Sequence, residues 1–299
     1  MTRKAIIWFV LFVSVAARAF GAPDDKLVLW FQQPAKNPMN EALAIGNGRM
    51  GALVFGDPNQ ERLSINESSL WTGDENPGGN YDTMGAYQVF GNIFITIPGH
   101  HNTVKYGRDL DIGQSLAHVQ YAGTTESTAG AEFMREYFCS RPAGVLVAHF
   151  TARYGSYGGY IEMKDSHNAT TVVSGNRMTV HGQLPNGLKY EWQMVVLHDG
   201  GAFNTNEPGL GFSMCHGLTL LIAAGTDYSF DGANHFRGEN PHARLTALLD
   251  AAAQKSYDDL KAEHVKDYQS LFNRVSLNLG ESSPAQRALP TDQLKLAAF

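Results

Sequence analysis

The stretch that decides the fold is NEALAIGNGRMGALVFGDPNQERLSINESSLWTG, which runs from Asn40 to Gly73. It places glycines, an isolated arginine and a final cluster of acid and indole between two short apolar runs. Gly46, Gly48 and Gly51 indicate a backbone that turns sharply or is approached closely, since glycine alone accepts positive φ without steric cost. The stretch therefore predicts a tight backbone turn.

The residues after these glycines are typical of a β-hairpin. Ala52–Phe55 is a short apolar run that predicts a buried strand, and Arg62–Ile65 alternates like the strand that returns. Between these strands, Asp57–Asn59 has the residue types of a turn. Asn66–Trp71 follows as a polar loop that ends in an aromatic side chain. The sequence therefore predicts a hairpin with polar residues at one end.

The composition is that of a globular protein rich in strands and turns. The 299 residues are 43% hydrophobic and 17% charged, which is enough to bury a sizeable core in one large or two small domains. The 31 glycines, 12 prolines and an aromatic share of 11% favour many short strands over a helical bundle. We therefore expect a mainly β fold.

Residues 1–21 have the pattern of a signal peptide. Arg3-Lys4 form a basic start, and Ala5–Val15 form an apolar core that is too short for a membrane span. Removing this segment takes away three positive charges and lowers the formal charge from −6 to −9. The sequence therefore predicts a secreted or periplasmic protein without stable membrane insertion. An acidic surface repels phosphate backbones, which argues against a nucleic-acid partner.

Strand-like runs recur at short spacing through residues 22–239. Most of them alternate between apolar and polar residues or are continuously apolar, and they end at turn-forming residues. Besides the hairpin, the predicted strands are Leu27–Phe31, Tyr87–Ile97, Arg108–Ile112, Leu116–Tyr121, Glu132–Ser140, Gly144–Thr151, Thr170–Val173, Arg177–His181, Leu188–Leu197 and Gly217–Ala224. Together they predict a large antiparallel β-sandwich domain over residues 22–239.

The pattern changes to helical spacing at Asn240-Pro241, where an N-cap residue precedes a proline at the first helical position. Ser256 is predicted to cap a second helix. A final strand, Val275–Leu279, is predicted to return to the sandwich, and Asp292–Leu296 begins another amphipathic segment. We therefore predict a helical linker with one strand over residues 240–299.

Several runs carry a resemblance to a known family. They are LWF at Leu29–Phe31, NEALAIGNGRMGALVFG at Asn40–Gly56 and INESSLWTG at Ile65–Gly73. With their spacing, these runs resemble the N-terminal region of glycoside hydrolase family 95, the inverting α-L-fucosidases and related α-L-galactosidases. The runs at Asn273–Gly280 and Leu289–Leu294 are similar to the linker of the same family.

This resemblance implies a fold, an activity and a partner. In the family, a super-β-sandwich and its linker lead into an (α/α)6 barrel, and the barrel holds the catalytic residues. The resemblance therefore implies a secreted glycoside hydrolase that acts on terminal α-L-fucosyl or L-galactosyl residues of glycans. It also implies that this chain stops before the barrel, contains no catalytic residue and is inactive alone. The alternative is a free-standing carbohydrate-binding or scaffold β-sandwich without catalysis.

Two groups of residues are candidates for substrate binding. Asn47 and Arg49 are able to bind a sugar hydroxyl or contact the barrel, although a structural turn with a paired arginine fits the same pattern. Asn66, Glu67 and Trp71 offer an amide, a carboxylate and a stacking plane, as sugar sites do. For these three, the alternative is a solvated loop with a core tryptophan.

Neither a metal nor a cofactor is predicted. The tandem His100-His101 and the other histidines lack the HxH, HExxH and CxxC spacings of metal sites. Carboxylates are plentiful, but the sequence pairs no two of them across a cleft, as glycosidase chemistry requires. Cys139 and Cys215 are the two cysteines, and they form either one disulfide or two buried thiols.

Overall fold

The structure is a computed structural model that describes residues 27–73, 76, 78–204, 209–280 and 282–297. The predicted signal peptide, residues 1–21, lies outside these described residues. Within them the chain is mainly β, and its strands form two antiparallel sheets, which confirms the predicted sandwich.

The strands of the first sheet have the spatial order β1-β6-β7-β8-β9-β16-β13-β12-β11, and those of the second have the order β14-β15-β10-β5-β4-β3-β2. In chain order the described strands are β1 Val28–Phe31, β2 Leu43–Gly46, β3 Met50–Val54, β4 Gln60–Glu67, β5 Gly91–Thr96, β6 Val104–Asp111, β7 Leu116–Ala122, β8 Glu132–Ser140, β9 Val145–Arg153, β10 Tyr157–Asp165, β11 Thr171–Ser174, β12 Arg177–Gln183, β13 Lys189–Asp199, β14 Ala202–Asn204, β15 Leu210–Cys215 and β16 Gly217–Thr226. Most neighbours in the first sheet are also neighbours in sequence, so short turns connect them.

The predicted hairpin forms as β3 paired with β4, and strand β2, which the sequence did not predict, pairs with β3. Gly48 has φ of +88°, which a side chain would strain. A Cβ on Gly51 would lie 2.9 Å from the carbonyl oxygen of Ile45, so the close approach is also real. One detail of the prediction is wrong, because β4 runs to Glu67 and the polar loop begins only after that residue.

The core lies between the two sheets, where each strand turns every second side chain inward. In β4 the inward positions are Glu61, Leu63, Ile65 and Glu67, and all four are buried. Their alternation with half-buried polar residues is what the sequence pattern of a two-layer sandwich requires. Glu67 therefore sits at the end of the inner face, where the core meets the rim of the sandwich.

The described α-helices are α1 His242–Ala253, α2 Tyr257–Phe272, α3 Pro284–Arg287 and α4 Thr291–Ala297, and the first two cover the outer face of the first sheet. Helix α1 packs on β13 and β16, and α2 packs on β8. A second apolar cluster fills this layer and includes Leu245, Leu249 and Leu260. The predicted cap of α2 is confirmed, since the Ser256 side chain accepts a hydrogen bond from the backbone N–H of Asp259.

The predicted strand Val275–Leu279 does not form. These residues have irregular structure, and the side chains of Val275, Leu277 and Leu279 are 80–88% exposed. Alternation alone does not make a strand, because a strand also needs a partner for its backbone hydrogen bonds. The predicted amphipathic segment does form helix α4, and Thr291 at its start accepts a hydrogen bond from the backbone of Trp30.

The two cysteines are not bonded to each other. Cys139 on β8 and Cys215 on β15 are both free and buried. Of the two alternatives that the sequence leaves open, the structure therefore has the pair of buried thiols. They belong to different sheets, and burial raises the pKa of both thiols.

Candidate binding cleft

The structure has an open cleft of about 670 Å³ at the rim of the sandwich. Its walls come from the end of β4, the segment after it, the turn before β13 and the loop after β16. The lining residues are Arg49, Glu67, Ser68, Ser69, Trp71, Gly73, Asn186, Leu188, Tyr228, Phe230, His235, Phe236 and Arg237. The cleft thus brings together three of the five predicted site residues.

Glu67 forms a fixed negative charge at the base of this cleft, and its side chain is completely buried. Its Oε2 atom accepts hydrogen bonds from the backbone N–H of Ser69 at 2.9 Å and from the Ser69 hydroxyl at 2.6 Å. Its Oε1 atom lies 3.0 Å from Nε of Arg49. Oε2 is therefore hydrogen-bonded within the protein, whereas the buried Oε1 is held by the charge of Arg49 and accepts no hydrogen bond among the described residues.

Ser69 connects Glu67 to the other sheet. Its hydroxyl oxygen lies 2.6 Å from the hydroxyl oxygen of Thr226, the last residue of β16. Because the Ser69 proton is directed at Glu67, the Thr226 hydroxyl is the donor in this second bond. The hydrogen bonds that connect Glu67, Ser69 and Thr226 thus close the open end of the core.

Arg49 and Asn47 have different roles, although they lie in the same turn. The Asn47 side chain accepts hydrogen bonds from the backbone of Arg49 and Met50, and it donates one to the carbonyl of Ser140. Asn47 is therefore part of the turn and does not line the cleft. The Arg49 side chain is 55% exposed and points into the cleft, held from beneath by Glu67.

Asn66 lies apart from the cleft. It is paired with Gly51 of β3 on the face of the sheet opposite to Glu67, because consecutive residues of a strand point to opposite sides. The sequence predicts Asn66, Glu67 and Trp71 as one group of site residues. In the structure Asn66 does not line the cleft that Glu67 and Trp71 share.

Trp71 forms one wall of the cleft and is 42% exposed. Its indole Nε1 donates to the carbonyl of Met84 at 2.9 Å, which fixes the ring plane. The side-chain amide of Asn186 donates to the carbonyl of Trp71 and so holds the same segment from the opposite side. Beside it, burial and the negative charge of Glu67 raise the pKa of Tyr87.

The loop after β16 forms the aromatic wall that the sequence did not predict. The rings of Tyr228 and Phe236 are nearly parallel, with an angle of 10° and 6.4 Å between centroids. Phe230 lies beside them and is 92% exposed. Arg237 anchors the loop by donating from Nη2 to the carbonyl of Asn186 at 3.0 Å. Aromatic residues within a run of Gly, Asn and Asp were the signal for this wall in the sequence.

The described residues offer no metal centre, since no group of three or more His, Cys, Asp or Glu side chains in them could hold an ion. His100 is buried, and its Nδ1 lies 2.8 Å from the Tyr121 hydroxyl.

Among the residues that the structure describes, no helix is long and apolar enough to cross a membrane.

The fold and the cleft define a two-sheet β-sandwich domain with an open, aromatic-lined cleft. Residues 29–86 and 75–231 match the family described as glycosyl hydrolase family 65, N-terminal domain, and the chain belongs to this family. Residues 256–298, which begin at the cap of α2, match the glycosyl hydrolase family 95 catalytic domain.

The curated relatives of this chain are named as α-fucosidases. The chain is 28% identical to "Probable alpha-fucosidase A" of Aspergillus niger over 89% of its own length and 39% of that protein. It is 28% identical to "Alpha-L-fucosidase 2" of Arabidopsis thaliana over 86% of its own length and 37% of that protein. The resemblance to glycoside hydrolase family 95 is thereby confirmed. The chain spans about two fifths of the length of these relatives.

Proposed function

We propose that this chain is the N-terminal domain of a glycoside hydrolase that releases terminal α-L-fucosyl residues from glycans, with α-L-galactosyl residues as the second candidate. The observation that carries the proposal is that relatives named as alpha-fucosidases align with 85–89% of this chain. The match of residues 256–298 to a catalytic domain supports it, because that match follows the sandwich directly.

In this proposal the sandwich binds the glycan and the following barrel carries out the chemistry. Glycoside hydrolysis needs one group to protonate the leaving oxygen and a second to activate water or attack. Among the described residues that line the cleft, Glu67 is the only carboxylate, and it is buried, with Oε2 bonded to Ser69 and Oε1 paired with Arg49. We therefore place the acid and the water-activating group in the (α/α)6 barrel.

The cleft suits the binding of a neutral sugar ring. Trp71, Tyr228 and Phe236 present ring faces, and sugars stack on such faces through their C–H groups. Arg49 supplies N–H donors for sugar hydroxyls at the edge of the same space. We propose that this surface faces the barrel and forms the rim of its sugar pocket.

Export is a second part of the proposal. It is supported by the basic and apolar pattern of residues 1–21 alone. N-terminal mass spectrometry of the protein from its native host should find a start after the small residues Ala19 or Gly21. An intact Met1 on cytoplasmic protein would contradict export.

The substrate is tested with the protein encoded by the complete gene. It should hydrolyse 2′-fucosyllactose and an aryl α-L-fucoside, with the aryl α-L-galactoside as the competing substrate. Failure with both L-sugars, with the enzyme folded, would overturn the proposed activity.

The role of the cleft is tested by Trp71→Ala in the same protein. We expect kcat/KM to fall at least tenfold, which corresponds to about 1.4 kcal/mol of lost transition-state stabilisation, with a change in Tm of only a few degrees. Tyr154→Ala is the matched control, because Tyr154 is also an exposed aromatic residue but does not line the cleft. Equal effects of both substitutions would remove Trp71 from the site.

The alternative function is a carbohydrate-binding or scaffold module that acts without a barrel. The open cleft without a free carboxylate is the observation that favours it. Two measurements together separate the candidates. For a binding module, glycan in the gel slows the protein in affinity electrophoresis, and the protein from the complete gene shows no turnover.

A further inference from the structure

The cleft is larger than a single sugar ring. Its volume is about 670 Å³. Clefts of about 300–1,000 Å³ hold whole drug-sized ligands, which exceed one monosaccharide. Its aromatic residues also come from distant parts of the chain, with Trp71 in the segment after β4 and Tyr228 in the loop after β16. The cleft therefore has room for more of a glycan than its terminal residue.

On the side of Trp71, the aromatic surface continues into a second ring. Trp71 and Tyr87 form an antiparallel β-bridge, and residues that face each other in such a pair present their side chains on the same side. The backbone N–H of Thr72 donates to the carbonyl of Ala86 at 3.0 Å and supports this bridge. Both rings are partly exposed. Tyr87 therefore extends the aromatic surface beyond the residues that line the cleft.

On the opposite side, the aromatic wall ends in Phe230, whose side chain is almost entirely exposed. The centroid of its ring lies 6.5 Å from that of Phe236, and the two planes form an angle of 52°. Phe236 in turn lies 6.4 Å from Tyr228. The three rings thus form a continuous series. Contiguous exposed apolar groups of this kind mark binding surfaces on soluble proteins.

The backbone of this loop is strained at the point where it presents the rings. His235 and Phe236 have φ of +52° and +57°, a region that residues other than glycine rarely adopt. Hydrogen bonds hold them there, since the N–H of Phe236 donates to the carbonyl of Asp231 at 2.9 Å and the N–H of Ser229 donates to the carbonyl of Phe236 at 3.1 Å. Strain that the surrounding structure maintains occurs mainly at functional sites. The loop therefore presents its rings to a ligand at a cost in local stability.

The proposed reaction determines which part of a glycan fills the additional space. A terminal fucosyl residue is joined to the rest of the glycan by one bond, and that bond is the one hydrolysed. Every further sugar therefore belongs to the leaving group. Sugars offer C–H faces to aromatic rings and hydroxyl groups to polar side chains, and Arg49 and Ser68 supply such polar groups in the same cleft.

From this geometry we propose that the cleft binds at least two consecutive sugars of the leaving group, between the Trp71–Tyr87 surface and the aromatic wall, and that Phe230 determines specificity for them. The inference rests on the proposed function, because it assumes that the fucosyl residue is cleaved in the following barrel. It makes fucosylated oligosaccharides the preferred substrate class, ahead of fucosides with a small leaving group.

The test uses the protein from the complete gene and two substrates. One is a long oligosaccharide that ends in the same fucosyl-galactose unit as 2′-fucosyllactose, and the other is α-L-fucosyl fluoride, whose leaving group contains no sugar. Phe230→Ala should raise KM for the oligosaccharide about five- to twentyfold, whereas KM for the fluoride should stay within about twofold. Tyr154→Ala is the matched control, because Tyr154 is an exposed aromatic residue that does not line the cleft.

A binding measurement gives a readout that does not depend on turnover. Isothermal titration calorimetry uses the same oligosaccharide without its fucosyl residue, which has no bond for the enzyme to cleave. We expect Kd to be at least about fivefold higher for Phe230→Ala than for the unsubstituted protein, and unchanged for Tyr154→Ala.

Three results would overturn the proposal, and they are distinguishable. If Phe230→Ala changes KM equally for both substrates, Phe230 does not read the leaving group, and the proposed function stands as long as 2′-fucosyllactose is hydrolysed. If the substitution lowers Tm and changes neither KM nor Kd, Phe230 packs against the following domain instead. If no fucoside is hydrolysed while the defucosylated oligosaccharide still binds through Phe230, the proposed function fails, and the assignment to the leaving group fails with it.

Discussion

At the scale of single residues, one buried ion pair joins the two sheets. Nη1 of Arg135 on β8 lies 3.2 Å from Oε2 of Glu61 on β4, and both side chains are fully buried. The Tyr137 hydroxyl donates to the same oxygen at 2.6 Å, and Arg135 also donates to the carbonyls of Asp57 and Pro58. Most of the hydrogen-bonding capacity of this pair is therefore satisfied inside the core.

Removing one partner of this pair should be strongly destabilising. Glu61→Gln leaves the Arg135 charge buried without its counter-ion, and such changes cost about 3–5 kcal/mol of unfolding free energy. The control is Glu132→Gln, which removes an exposed pair with Arg153 at 3.7 Å and should cost less than about 1 kcal/mol. The measurement is urea denaturation of both variants. A similar loss in both would mean that the buried pair has no special role.

His100 should make the sandwich sensitive to acid. Arg135 donates to the Tyr121 hydroxyl, and the oxygen of that hydroxyl lies 2.8 Å from Nδ1 of His100. Burial, and next the positive charge of Arg135, lower the pKa of His100 from 6.5 to about 4. A histidine with a lowered pKa contributes stability that is present above its unfolded value and is lost as the pH falls toward its folded value.

The expected loss between about pH 6.5 and 4 is on the order of 3 kcal/mol from this residue alone. His100→Asn retains a polar amide that can hydrogen-bond with Tyr121 and cannot titrate, so it should remove that part of the acid sensitivity. His181→Asn, at an exposed histidine, serves as the control. Unfolding free energies measured across this pH range check the prediction, and parallel curves for the protein and its His100 variant would contradict it.

At the scale of elements, helix α2 is fastened to the first sheet by a polar cluster around Glu136. The Glu136 carboxylate of β8 accepts from the Tyr257 hydroxyl at 2.7 Å and from Lys261 at 2.6 Å, both on α2. Nε2 of His118 on β7 lies 3.2 Å from the same carboxylate, and its Nδ1 lies 2.7 Å from Asp109. The ring of His149 on β9 also stacks on Tyr257.

The docking of α2 should weaken as the pH rises. Burial alone would lower the pKa of His118, but its hydrogen bonds to Asp109 and Glu136 raise the pKa above the usual value. A histidine with a raised pKa contributes stability that is present below its unfolded value, near 6.5, and is lost as the pH rises through its folded value. Without that charge, Glu136 and Asp109 face each other across a neutral ring.

Hydrogen–deuterium exchange, corrected for the intrinsic effect of pH, measures this directly. Protection in α2 should fall as the pH rises above about 6.5, while protection in the buried strand β16 should change less. In His118→Asn, α2 should be weakly protected at every pH. A fall in β16 equal to that in α2 would show general unfolding and not release of one helix.

The element scale also shows what the sequence was able to predict. Strong alternation or continuous apolar character identified β8, β9, β13 and β16, because those residues face a core on one or both sides. Strand β10 was missed, since Gly158 and Gly159 interrupt its pattern and only the pairing with β5 and β15 makes it a strand. Val275–Leu279 shows the opposite case, in which the pattern is present without a partner.

At the scale of the whole molecule, we expect the 299-residue chain to fold but not to hydrolyse fucosides. The described cleft lacks a free acid and a group that activates water. The exposed side chains of Val275, Leu277 and Leu279 should also promote association at high concentration. Residues 22–299 should therefore show less than about 1% of the activity of a full-length relative on 2′-fucosyllactose.

An active 22–299 chain would contradict this expectation. The decisive observation is turnover within about a hundredfold of that relative, abolished by a point mutation in this chain. Such a result would place the active site in the sandwich. Size-exclusion chromatography and circular dichroism of the same sample establish that the chain is folded when it is assayed.

The site was less predictable than the fold because it depends on contacts between distant parts of the chain. The sequence indicated Arg49, Glu67 and Trp71, which lie within one hairpin region. It did not reveal that Ser69 contacts Thr226, 157 residues later, or that the loop after β16 supplies the aromatic wall. It also did not distinguish Asn47, which is used by its own turn, from Arg49, which is not. Only tertiary packing separates the two.

The two thiols give this protein a built-in pair of unfolding reporters. Cys139 belongs to one sheet and Cys215 to the other, and both are shielded from reagents in the folded state. An alkylating agent therefore reacts only with chains in which the corresponding sheet has opened. Mass spectrometry after brief labelling in rising denaturant then follows each thiol separately. Coincident labelling means that the sheets part in a single step, whereas earlier labelling of one cysteine identifies the sheet that opens first.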